Sequence, residues 1–144
     1  MRFFRRKRRR SRVPRMNDSH YQVHKEYARA VITERLAYWN QSYNFVYKRV
    51  SIKNQRTCWG SCSEHKNLNF NYKLVLLPES LMDYVIVHEL CHLAELSHSQ
   101  NFWSHVERTL PDYRERRAHL RKMTHVPKHG FPSSVYTQRI QHVN

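Results

Sequence analysis

The chain has 144 residues, enough for one hydrophobic core and little more. It carries 26 Lys and Arg against 11 Asp and Glu, a formal charge of +15, which favours anionic partners. No run of about 18 apolar residues occurs, which argues against a membrane span, and no apolar stretch follows Phe3 and Phe4, so no secretory leader is expected.

The first fifteen residues hold nine basic side chains and no acid. Such a segment has too little apolar surface to fold. Residues 1–18 are therefore expected to be a disordered basic arm, 19–124 a single domain and 125–144 a C-terminal tail. Ala28, Ile32, Leu36 and Trp39 recur at helical spacing and predict a helix over about 20–40. Arg49–Lys53 alternates polar and apolar residues, as a half-buried strand does. Residues 57–62 read as a second short strand, in which Gly60 marks a bulge or a close backbone approach. Residues 63–66 form a turn, and Asn67–Asn71 alternates again as a third strand. A buried helix is expected from Leu77 to Leu96, with Met82, Ile86, Leu90 and Leu93 as its apolar stripe. The β-branched run through Tyr84, Val85, Ile86 and Val87 would favour a strand by propensity, which burial can override. Ser99 is a plausible N-cap for a helix to about Thr109, and a further Arg-rich helix runs from Pro111 to about Lys122. The sum is an α+β domain: an N-terminal helix, a short antiparallel sheet of about three strands, a central helix and C-terminal helices.

The chemistry concentrates in His88-Glu89-Leu90-Cys91-His92. Two His residues four apart lie on one helical face and can share a metal ion. Glu89, one residue on, is turned about 100° around the axis, close enough to reach a water at that metal and act as general base. A catalytic zinc usually takes three protein ligands and keeps a fourth position open. His98, six residues after His92, can fold back as the third. Glu95 extends the same face and is a rival ligand or an acceptor that orients an imidazole; Glu107 is a weaker candidate for either role. His105, Tyr113 and Arg56 are candidates for stabilising an oxyanion. Trp59 and Trp103 read more readily as core than as site.

Three blocks carry a family resemblance: Thr57 to Ser63 (TCWGSCS), Asp83 to Leu93 (DYVIVHELCHL) and His98 to Trp103 (HSQNFW). In order and spacing they resemble the YgjP-like metallopeptidases, cytoplasmic zincins, over roughly residues 21–122. The resemblance implies a small zincin-like domain with an HExxH helix, one Zn2+ per chain on His88, His92 and His98, and Glu89 as catalytic acid/base. SprT-like proteases are more distantly similar; Ser99 stands here where they carry Gly after the third ligand, and the link to that ligand is shorter. Metzincins share the spacing, but this chain has Glu95 where they place Gly, and Met123 is a lone candidate for their Met-turn.

The reading is thus a cytoplasmic zinc metallopeptidase acting on peptides or proteins, with no membrane partner. Cys58, Cys62 and Cys91 are an odd count, which suits reduced thiols. Two rivals share the residues. The same site could act on nucleotides or phosphate esters, or the metal could be non-catalytic in a nucleic-acid-binding protein. The basic arm and the helix with Arg114, Arg116, Arg117, Arg121 and Lys122 suit nonspecific contact with nucleic acid.

Overall fold

The computed structural model describes residues 16–123, with side chains from Ser19 onward. The expected arm up to residue 15 and the expected tail lie outside the described residues. Helix α1 spans Met16–Asn40, so it begins inside the segment expected to be arm. Its apolar stripe does what the spacing predicts, with Ala28, Ile32 and Leu36 fully buried and Trp39 packed beside them.

Strands β1 (Arg49–Lys53), β2 (Gly60–Cys62) and β3 (Asn67–Asn71) form one sheet in the order β1-β3-β2. Leu68 and Phe70 of β3 are fully buried and Ile52 of β1 nearly so. They share the face that the period of two turns toward the helices. The β2–β3 pair is an antiparallel hairpin with Gly60 opposite Phe70. Lys66, at φ 61°, closes its turn, its N–H donating to the Ser63 carbonyl at 2.9 Å.

The expectation of an antiparallel sheet is corrected here: β1 runs parallel to β3, Ile52 opposite Phe70, and the sheet is mixed. The six residues between β1 and β2 do not close a hairpin. They pass over the end of β3, and Asn71 pins them there. Its carboxamide donates to the carbonyls of Gln55 (2.8 Å) and Cys58 (3.1 Å), while its backbone N–H donates to Trp59 (2.8 Å). Residues 57–59, expected as strand, belong to this crossing.

The Asn71 side chain also accepts from the Lys73 N–H, which caps a 3-10 segment over Tyr72–Leu76. This buried connector was not anticipated. Pro78 follows, and helix α2 spans Glu79–Cys91. Residues 81–87 and 89–91 of α2 are all buried, which is why the β-branched run is helical: its environment is core on every side. The Arg35 guanidinium of α1 grips the Asp83 carboxylate, Nε to Oδ1 at 2.8 Å, and ties the two helices together. Helix α3 (Gln100–Thr109) and helix α4 (Tyr113–Lys122) complete the α+β fold.

Candidate active site

α2 ends at Cys91, five residues short of the expected end. Beyond it the N–H groups of Leu93 and Ala94 donate three residues back, to Leu90 and Cys91, and the helix tightens and stops. Glu95 therefore does not share a helical face with His88 and His92. Its carboxylate instead accepts from Ser97, from the backbone N–H at 3.2 Å and the hydroxyl at 2.9 Å. Those bonds with Ser97 hold the carboxylate in its ionised form. They fold residues 95–97 into a turn that brings His98 back toward the helix. Among the described non-glycine residues only Asn44 and Lys66 have positive φ, so this turn has no need of glycine at 95. Ser99 then caps α3 as expected, its Oγ accepting from the Phe102 N–H at 3.3 Å.

The three imidazoles converge. His88 Nε2 lies 3.1 Å from His92 Nε2 and 3.1 Å from His98 Nε2. Nitrogens about 2.0–2.1 Å from a tetrahedral ion sit roughly 3.3 Å from one another, so the spacing fits a metal. The tautomer of one ring is settled by its partner. His92 Nδ1 lies 3.0 Å from the Glu95 carbonyl, which can only accept. Nδ1 therefore carries the proton, and Nε2 turns a lone pair toward the other two rings. The acceptor that orients this imidazole is the backbone carbonyl of Glu95, and the carboxylate expected in that role is on Ser97 instead. The Tyr84 hydroxyl stands 3.5 Å from His88 Nδ1 in the corresponding place. Burial pushes the pKa of His88 down to about 3, with His92, His98 and Arg117 adding to the shift, so its lone pair is free at neutral pH.

Aromatic rings fix the imidazoles from behind. Phe102, fully buried, stacks on His92 at 4.4 Å and stands edge-on to His88 and His98. Trp103 stacks on His98 at 5.7 Å and on Tyr113 at 5.1 Å. Trp103 is thus both core and wall of the site. His98 is the exposed member of the trio and His92 the buried one.

Glu89 is 6% exposed, and burial raises its pKa to about 8. It lies against β2: a Cβ on Gly60 would meet Glu89 Cγ at 2.9 Å and Oε1 at 3.1 Å. Gly60 is the close approach the sequence suggested. His88 and Glu89 open into a cleft walled by Trp59, Val85 and Leu120 and edged by Arg117 and Arg121.

Three expected residues are elsewhere. His105, Tyr113 and Arg56 do not line the cleft; Tyr113 is 5% exposed beneath Trp103, and the His105 ring stands edge-on to Phe45. Glu107 pairs with Arg114 at 3.1 Å on the surface of α3. The reading of the sequence missed Tyr84, and it placed Arg117 and Arg121 only in a basic helix. Their four-residue spacing was the available signal that both share a face.

A family profile for the YgjP-like metallopeptidase domain matches residues 6–123. The chain belongs to that family. It is accordingly a hydrolase of the metallopeptidase kind, for which a divalent metal and a peptide or protein substrate are implied. The fold of this YgjP-like metallopeptidase is similar to that in the crystal structure of the metallopeptidase zymogen of Pyrococcus abyssi, abylysin. The TM-score is 0.58 at 20% identity, over 70% of this chain and 99% of that one. No curated protein matches the sequence. No helix among the described residues is long and apolar enough to cross a membrane.

Proposed function

We propose that this YgjP-like metallopeptidase is zinc-dependent, with His88, His92 and His98 as ligands and Glu89 as general base. The observation that carries the reading is three imidazoles whose ligand nitrogens lie within 4.8 Å of one another, His88 Nε2 at 3.1 Å from both others, with the buried Glu89 lining the same cleft as His88. Three imidazoles with an open fourth position are a donor set that catalytic zinc uses. When bound, the ion supplies a Lewis acid that makes water a competent nucleophile at neutral pH and polarises the peptide carbonyl.

The remaining steps belong to the chain. Glu89 takes the proton of the attacking water on a carboxylate oxygen and delivers it to the leaving nitrogen. Burial makes Glu89 a stronger base than an exposed carboxylate, and a dication held by the three imidazoles would favour its ionised form. His92 is held in its ligating tautomer by the Glu95 carbonyl. Strand β2 is an edge of the sheet and adjoins the cleft at Gly60, so its backbone groups suit an extended peptide whatever its side chains.

Elemental analysis of the purified chain should find one zinc, and Glu89→Gln should keep it while losing about 10²–10⁴-fold in turnover. Replacing any of His88, His92 or His98 with Ala should strip the metal. Full occupancy in His98→Ala would remove the third ligand from this reading, and wild-type turnover in Glu89→Gln would remove the base.

Two further parts of the proposal concern the setting. Cys58, Cys62 and Cys91 are free thiols, which supports a reducing, cytoplasmic compartment. Residues 1–15, with nine cationic side chains, are proposed to bind nucleic acid through phosphates without reading bases. Deleting them should flatten the salt dependence of DNA binding while leaving metal content intact. An unchanged slope would assign the arm another role.

A further inference from the structure

We propose that Arg117 and Arg121 form an anion subsite in the cleft, selecting peptides that carry a carboxylate next to the bond to be cut. The selection of a cleaved bond rests on the peptidase reading; the subsite itself rests on the arrangement of α4.

Residues four apart on a helix share one face, and both arginines line the cleft into which His88 and Glu89 open. The other arginines of this helix are already paired. Arg116 binds the Asp112 carboxylate at 2.9 and 3.0 Å, and Arg114 binds Glu107 at 3.1 Å. Among the described residues neither Arg117 nor Arg121 has a carboxylate partner. Glu89, the acid of the cleft, is turned against Gly60. Two like charges at this spacing repel, and an anion between them relieves that repulsion.

The Arg117 guanidinium is also preorganised. It lies 4.7 Å over the Trp103 ring, which is itself stacked on Tyr113 and on His98. Stacking on an aromatic face leaves the edge N–H donors of a guanidinium free for a planar, two-oxygen acceptor. The remaining walls are apolar: Trp59, Val85 and Leu120. They suit the hydrocarbon stem of an acidic side chain, or the apolar side chain of a residue whose carboxylate is the C-terminus. A Lys or Arg there would meet two positive charges, that of Arg117 held on the Trp103 ring, and be disfavoured.

The test uses the full-length, zinc-loaded chain and a set of acetylated peptides with Glu, Gln or Lys on either side of one bond. Each is made with a free and an amidated C-terminus, so that an acidic side chain and a terminal carboxylate can be told apart. The expected ratio of kcat/KM for the Glu over the Gln peptide, or for the free over the amidated form, is about tenfold, the low end for hydrogen bonds to charged groups. Arg117→Gln with Arg121→Gln should bring that ratio close to one. Arg121→Glu, at an exposed position that tolerates change, should reverse it in favour of Lys.

A second readout does not depend on turnover: calorimetric binding of the same peptides to zinc-loaded Glu89→Gln, with and without the arginine substitutions. Preference in binding without cleavage by the wild type keeps the subsite and overturns the peptidase reading. Cleavage with equal ratios for Glu and Gln, free and amidated, overturns the subsite and keeps the peptidase. A ratio that survives the double substitution overturns the assignment to these two residues.

Discussion

Gly60 limits how far the Glu89 carboxylate can sit back in the wall of the cleft. A Cβ at 60 would stand 2.9 Å from Glu89 Cγ and 3.3 Å from the Asn69 carbonyl, so the glutamate, the softer neighbour, must move. None of the three imidazoles depends on that contact. Gly60→Ala should therefore keep its metal and lose roughly 10–100-fold in kcat/KM, the usual cost of displacing a catalytic group by about an ångström. Metal analysis and peptide hydrolysis on one preparation check both halves; unchanged activity would mean that Glu89 is not held by this wall. The sequence offered a bulge or a close approach at Gly60, the usual reasons for a lone glycine in a strand, and the structure shows the close approach. It could not name Glu89 as the neighbour, since the two meet only when the β2 edge lies across α2. Arg117 and Tyr84 were hidden for the same reason: their place in the site depends on how whole elements pack.

At the scale of an element, the loop between α2 and α3 decides whether the third imidazole arrives. The sequence predicted a helix through Leu96, because Leu93 continues the apolar stripe of Met82, Ile86 and Leu90 past the point where the helix ends. The helix stops at Cys91, and the Glu95 carboxylate, holding the Ser97 N–H and hydroxyl, turns the chain beyond it. Side-chain-to-backbone bonds of this local kind leave little trace in hydrophobic spacing, whereas the Ser99 cap and the His pair, set by residue type and register, were legible. Glu95→Ala leaves the carbonyl on His92 in place and removes only the turn's anchor. It should lower zinc affinity by about tenfold, at the mild end for residues that orient ligands, with the fold unchanged. A chelator competition titration measures this. Affinity equal to wild type would show that Ser99 and the stacking of Trp103 on His98 are enough to place the ligand.

Across the whole molecule, β1 and β3 were legible in their alternation, β2 only as part of a longer expected strand, and the partners of all three were not. Alternation reports which face of a strand is buried and says nothing of its neighbour, so β1 was expected to pair in antiparallel fashion. Its parallel place beside β3 depends on Asn71 holding the crossing chain, a set of polar contacts between residues 13 and 16 apart. A polar link of longer range, Arg35 to Asp83, ties α1 to the helix that carries the site. Its two ends are unequal: the Asp83 side chain is 7% exposed and that of Arg35 is 25%. If Asp83 is replaced by Ala, water can still solvate part of the guanidinium. If Arg35 is replaced by Ala, a nearly buried carboxylate loses its strongest partner. Asp83→Ala should therefore cost about 1–3 kcal/mol and Arg35→Ala more, while the double variant should cost less than the two together because neither leaves a stranded charge. Urea denaturation of the zinc-free chains, with similar slopes for all four, gives the comparison without the added stability of bound metal. Arg35→Ala no worse than Asp83→Ala would mean that the buried carboxylate finds water or another donor, and that the pair does not hold α1 in place.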